Sequence, residues 1–129
     1  LGVSSEELEK ALNSLQDAIR LYAQNGNSSL EQKAFRDASI QRFEYSIELC
    51  WKVAMKVLGS QTNAAKPAVR EMGRANLIEN VSEWLEYIEA RNNTSHSYDE
   101  NVAAKVFAAI QKFVPDAEIL LKNLQALPK

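Results

Sequence analysis

Apolar residues recur along this chain in alternating steps of three and four, a spacing that gathers them on one face of a helix and scatters them on a strand. Leu8, Leu12, Leu15, Ile19 and Tyr22 make the first stripe, preceded by Ser4-Ser5-Glu6-Glu7, which spells a capping box. Asn25-Gly26-Asn27 supplies the stop, since glycine takes up the left-handed conformation that ends helices. Ser29 with Gln32 offers a second cap. From there Phe35, Ile40, Phe43, Ile47, Cys50, Trp51, Ala54, Val57 and Leu58 recur at helical spacing until Gly59, about seven turns. This length predicts a central helix. Pro67 is placed for the first turn of a short third helix that runs to about Ala75. A fourth starts near Asn76 to Asn80, buries Leu77, Val81, Trp84, Leu85 and Ile88, and ends around Arg91. The last spans Ser97 to about Leu127 through Val102, Val106, Ile110, Phe113, Ala117, Leu120 and Leu124. Pro115 predicts a kink or a break there, and the stripe resuming in phase on both sides favours a kink.

Long helices joined by short connections become antiparallel neighbours. The predicted fold is therefore all-α, an up-and-down antiparallel helical bundle of four main helices and one short one, in a single domain over residues 1–129. Four Gly and three Pro leave little material for the turns of an all-β fold. The single Cys50 has no partner for an intramolecular disulfide, and its apolar neighbours predict a buried, inert thiol. No apolar run reaches the roughly 18 residues of a membrane span, and no signal peptide is visible, so the expected location is cytoplasmic, without membrane partners. In that compartment the Asn-x-Ser/Thr triplets at Asn27, Asn92 and Asn93 are not glycosylation sites. With 15 Lys and Arg against 17 Asp and Glu, the net charge of −2 gives no global attraction for nucleic acid. Any RNA contact must come from a local patch.

One stretch combines unusual polarity with residues able to move protons: Ala90-Arg91-Asn92-Asn93-Thr94-Ser95-His96-Ser97-Tyr98-Asp99-Glu100, which holds the chain's one histidine. Ser97 and Glu100 spell a capping box for the last helix, which places His96 and Tyr98 at or beside a helix N-terminus, where free N–H groups favour anions. Arg91 ends the preceding helix, and Asn92 to Ser95 form a connector able to fold it back towards His96. Such a set suits phosphodiester chemistry, because arginine binds phosphate oxygens with a planar fork and histidine exchanges protons near neutral pH. The plainer alternative is that His96 and Tyr98 pack a helix start and Arg91 caps a helix end.

Arg91-Asn92-Asn93-Thr94-Ser95-His96-Ser97-Tyr98 resembles the R-x4-H-x-Y signature of HEPN domains, small helical bundles encoded beside minimal nucleotidyltransferases in prokaryotes. The block from Arg36 to Lys52, with its Arg42-Phe43-Glu44-Tyr45 and Leu49-Cys50-Trp51-Lys52 stretches, is similar to the branch of nucleotidyltransferase substrate-binding proteins. Pro67, Gly73 and Trp84-Leu85 fall in the matching order, so the resemblance covers nearly the whole chain. It implies a homodimer in which two motifs face each other across a helix-lined cleft that binds RNA or nucleotide. In family members that are toxins this cleft is a metal-independent ribonuclease, silenced when the partner nucleotidyltransferase, an antitoxin, adenylylates the motif tyrosine. Carried over by position, Arg91 and His96 would be catalytic and Tyr98 the modification site; Asn92 and Ser95 are further substrate-binding candidates, and Arg42 and Glu44 on the central helix either line the dimer cleft and bind substrate or form surface or inter-helix ion pairs. No cofactor or metal is implied. The chain departs from its relatives at Lys66, before Pro67, and at Ala90, where an acidic residue often precedes the motif arginine; both bear on local geometry.

Other features carry less. Lys66, Arg70 and Arg74 make a basic stripe on the short helix that either tracks an RNA backbone or is a solvated face. Phe43, Trp51, Phe107 and Phe113 sit at helical spacing and are expected in the core or a dimer interface. No glycine-rich phosphate loop is present, so nucleotidyl transfer belongs to a partner. Two function classes stay open: a ribonuclease toxin, and a non-catalytic subunit that holds nucleotide or substrate for a nucleotidyltransferase. A purely structural dimeric bundle is a third.

Overall fold

A computed structural model describes residues 5–25 and 29–128, with the backbone alone at residue 29. Its elements are α1 (Glu6–Gln24), α2 (Ser29–Leu58), α3 (Ala65–Arg74), α4 (Val81–Asn93), a single 3-10 turn (Thr94–His96) and α5 (Glu100–Ala126). Among the described residues there is no strand. Ser4, Gly26, Asn27 and the Ser29 side chain, on which three of the expected helix boundaries rest, lie outside them.

Contacts between helices give the directions. Glu7 and Ser14 of α1 meet Tyr45 and Arg42 of α2, so α2 runs back along α1. Leu77 and Tyr87, before and within α4, meet Asn123 and Asp116 of α5, so that pair is antiparallel too. Arg36 and Phe43 of α2 meet Glu100 and Phe113 of α5, which makes α2 and α5 parallel. The four main helices therefore go up, down, up and down, and α2 touches all the others.

The core follows the apolar stripes. Leu8, Leu12 and Leu15 of α1, Phe43, Ile47 and Cys50 of α2, and Ile110, Phe113 and Leu120 of α5 are fully enclosed. Phe43, Trp84, Tyr87 and Phe113 join α2, α4 and α5 by edge-to-face contacts at centroid separations of 5.1–5.7 Å. Trp51 and Phe107 are buried as expected, and enclosure pushes the Cys50 thiol far above its ordinary range, which suits an inert side chain. No helix of the structure is long and apolar enough to cross a membrane.

Helix ends differ in part from the expectations. At α1 the N-cap is Ser5, whose side chain makes no capping bond. Gly59 ends α2 at φ 67°, with Gly59 N–H donating to Lys56 O and Ser60 N–H to Met55 O, a Schellman closure. Asn76, at φ 60°, ends α3 in the same way, with Leu77 N–H reaching Met72 O at 3.0 Å. Pro67 lies in the first turn of α3 as predicted, and α5 runs unbroken through Pro115.

The capping box Ser97–Glu100 is corrected. Ser97 has helical φ/ψ of −71° and −5°, whereas Asp99 is extended at −82° and 125°. Its carboxylate accepts from Asn101 N–H at 2.8 Å and Val102 N–H at 3.2 Å, so Asp99 is the N-cap and α5 starts at Glu100. Ser97 and Tyr98, assigned to the helix start, lie instead in a turn between the 3-10 segment and α5.

Candidate functional site

Arg91 sits in the last turn of α4 and Thr94 follows as the first residue of the 3-10 turn. Thr94 is buried, and its hydroxyl lies 2.7 Å from Arg91 O and 2.8 Å from Glu44 Oε2 on α2. One hydroxyl proton serves one of these acceptors at a time. Arg91 Nη1 approaches both Thr94 Oγ1 and Glu44 Oε2 at 3.4 Å, and Arg91 Nε is buried without a hydrogen-bond partner. The guanidinium is thus turned towards α2. Glu44, placed two residues after Arg42 in the sequence, belongs to this site.

Beside Arg91 runs an open groove of about 490 Å³, lined by Gln41, Glu44, Tyr45, Glu48 and Lys52 of α2. Trp51 Nε1 donates to Glu48 Oε2 at 2.8 Å, and the Lys52 amine lies 5.6 Å from the Trp51 ring. Glu48 is therefore held in place from beneath. Arg42 lies elsewhere: its Nη1 donates to Ser14 O at 2.8 Å, and it borders a second groove between α1 and α2. Tyr45, more than half exposed, lies between the two and lines both.

His96 and Tyr98 are exposed on the connector, Tyr98 at 83%. Their rings meet edge to face with centroids 6.1 Å apart. Asn92 and Ser95 are exposed as well, Ser95 Oγ lying 3.4 Å from Asn92 O. Among the described residues no hydrogen bond or ion pair joins Arg91 to His96. Within one chain, then, the arginine is engaged by α2, while the imidazole and the phenol face outward.

After Asp99, Glu100 accepts from Arg36 at 2.9 and 3.2 Å through both carboxylate oxygens and pairs with Lys33 at 3.0 Å. Hydrogen bonds from Arg36 and Lys33 hold the Glu100 carboxyl down at about 2. The expected basic stripe on α3 is interrupted, since Lys66 pairs with Glu89. No group of three or more His, Cys, Asp or Glu suited to a metal ion occurs among the described residues.

Sequence reasoning passed over Thr94, Glu48 and Arg36 as individual site residues. Glu44, Glu48 and Lys52 fall at i, i+4 and i+8, which marks one helix face and was a usable signal. The partners of Thr94 and Arg36 stand 50 and 64 residues away, beyond any local pattern.

Comparison with known proteins agrees with this architecture. The chain is 32% identical over 105 residues to a Haemophilus influenzae protein named probable ribonuclease HepT, covering 75% of this chain and 72% of that one. A solved Haemophilus influenzae structure, described as the fold of a substrate-binding domain of a nucleotidyltransferase, superposes with a TM-score of 0.84 at 28% identity, over 95% of this chain and 99% of its own. A crystal structure from Thermus thermophilus follows at 0.77 and 29%, over 92% and 98%. Residues 4–126 match the family described as nucleotidyltransferase substrate binding protein like, and the chain belongs to that family.

Proposed function

We propose that this protein is a ribonuclease toxin of a two-protein module whose other member is a minimal nucleotidyltransferase, and that its active site is completed only in a homodimer. The observation that carries the reading is the placement of His96 and Tyr98: both are exposed on a short connector that begins where buried Thr94 meets the half-buried Arg91 and Glu44, and Arg91 borders an open groove. The ribonuclease name of the Haemophilus influenzae relative supports the chemistry, and the family description supports the partner.

Cleavage within RNA needs a base and an acid. One chain has one histidine. A two-fold dimer supplies two imidazoles and two Arg91 guanidiniums. One imidazole takes the proton from a 2′-hydroxyl, whose oxygen attacks the adjacent phosphorus. The P–O5′ bond breaks, the second imidazole protonates O5′, and a 2′,3′-cyclic phosphate and a 5′-hydroxyl result. The arginines offset the charge on the equatorial oxygens, so the step needs no metal. Asn92 and Ser95 lie at the edge of the site, and Glu44 fixes Arg91.

Silencing is proposed at Tyr98. Its exposed phenol can attack the α-phosphorus of ATP held by the partner, losing its proton and releasing pyrophosphate. The added AMP brings a bulky anion to the mouth of the cleft, in reach of Arg91. A non-catalytic subunit that only holds nucleotide in the same cleft is the second reading, favoured by the description of the solved relative as a substrate-binding domain.

Purified protein incubated with single-stranded RNA and a chelator separates the two. The ribonuclease reading expects cleavage that falls at least 100-fold in His96→Ala, within the range for loss of an acid–base group. Absent cleavage, or cleavage unchanged in His96→Ala, leaves the binding subunit. Intact mass after co-expression with the partner should show added AMP that disappears in Tyr98→Phe.

A further inference from the structure

The connector that presents His96 and Tyr98 is not fixed by packing. Ser95, His96, Tyr98 and Asp99 are all exposed, and Thr94 alone is buried. What holds it is polar: Thr94 Oγ1 with Arg91 O and the Asp99 cap on α5 act locally, and two longer-range holds both come from α2. At one end Thr94 Oγ1 meets Glu44 at 2.8 Å. At the other, Glu100 receives the Arg36 fork at 2.9 and 3.2 Å with Lys33 added at 3.0 Å. The Arg36 side chain is only 13% exposed, and its fork fixes the orientation of the carboxylate as well as its position.

Spacing makes this a constraint on shape. Arg36 and Glu44 are eight residues apart on a helix, about 12 Å along its axis. Thr94 and Glu100 are six apart, and six extended residues would span roughly 20 Å. Anchors this close keep the connector compact, which is what the 3-10 turn and the bonds Ser97 N–H to Thr94 O and Asp99 N–H to His96 O require.

We propose that α2 is the template on which the motif turn is set, with Arg36 and Glu44 as positioning residues: Glu44 fixes the Arg91–Thr94 end, and Arg36 fixes the end that follows Tyr98. Neither need touch the reacting phosphate to matter. The catalytic consequence rests on the ribonuclease reading; the structural one does not. Glu100 is 59% exposed, so its share of this ion pair adds little to stability. Loss of the Arg36 hold should therefore loosen the turn while leaving the bundle folded.

The test compares wild type, Arg36→Glu, Glu100→Arg and the double charge swap as purified full-length chains. Hydrogen exchange at the Ser97 and Asp99 amides should quicken at least tenfold in each single variant and recover in the swap, in chains that keep their helical content. RNA cleavage should show kcat lowered about tenfold with KM held, because orientation is lost and binding is not. Arg36→Gln, which removes the charge without reversing it, serves the same comparison if charge reversal lowers helical content. Exchange at Ser97 and Asp99 unchanged in the single variants, or no recovery in the swap, overturns the proposal. If wild type cleaves no RNA, the ribonuclease reading falls and the exchange data still decide whether α2 sets the turn.

Discussion

The Thr94 hydroxyl shows how much of this site is decided by single polar atoms: it lies within 3.4 Å of the Arg91 guanidinium, the Arg91 carbonyl and the Glu44 carboxylate at once. Glu100 is the comparable residue at the other end of the connector, and its charge is measurable. Arg36 and Lys33 bring its carboxyl from an ordinary 4.5 to about 2. A carboxyl depressed on folding stabilises the native state at pH values above its unfolded range, and that contribution is lost as pH falls from about 4.5 towards 2. Carbon-detected NMR should find Glu100 titrating near the bottom of that window, and closer to 4.5 in Arg36→Ala. An unchanged midpoint in the variant would mean that the fork does not set it. At this scale the sequence is legible where a polar group interrupts an apolar pattern, as Arg91, His96 and Tyr98 do. Arg36 and Thr94 escaped because pairing them with residues 64 and 50 positions away requires the fold.

The helices themselves were readable because a 3.6-residue period survives every local irregularity, Pro115 included. Their ends were less so. Ser97 and Asp99 both have capping chemistry, and only the backbone distinguishes them: Ser97 is helical and Asp99 extended. Gly73 illustrates a constraint carried by an element pair. A Cβ built there would come within 2.3 Å of Val81 Cγ2, so the end of α3 meets the start of α4 at a contact only glycine allows. Valine is stiff at χ1 and yields little. Gly73→Ala should gain up to about 1 kcal/mol in helix propensity. Overpacking should cost more, about 1–3 kcal/mol. Urea unfolding is expected to show net destabilisation, partly relieved in Gly73→Ala/Val81→Ala. A more stable Gly73→Ala would show that the two helices separate freely.

At the scale of the whole molecule, the up-down-up-down order brings α2 against every other helix, so one element both builds the core and holds the motif turn. Its buried face was evident from apolar spacing. Its polar face, where Glu44, Glu48 and Lys52 border the groove, became meaningful only once α4 was seen to deliver Arg91 there. On the proposed ribonuclease reading, the chain's single histidine calls for a second copy so that RNA cleavage has an imidazole base and an imidazole acid. That requirement is quantitative. Wild type and His96→Ala, co-refolded at equal amounts so that dimers form at random, give about a quarter of dimers with two imidazoles and about half with one. A site built from both copies predicts that RNA cleavage in chelator falls to about a quarter of the wild-type rate and follows the square of the wild-type fraction. Activity at about half, rising linearly with that fraction, would show that each chain cleaves alone and would contradict the composite site.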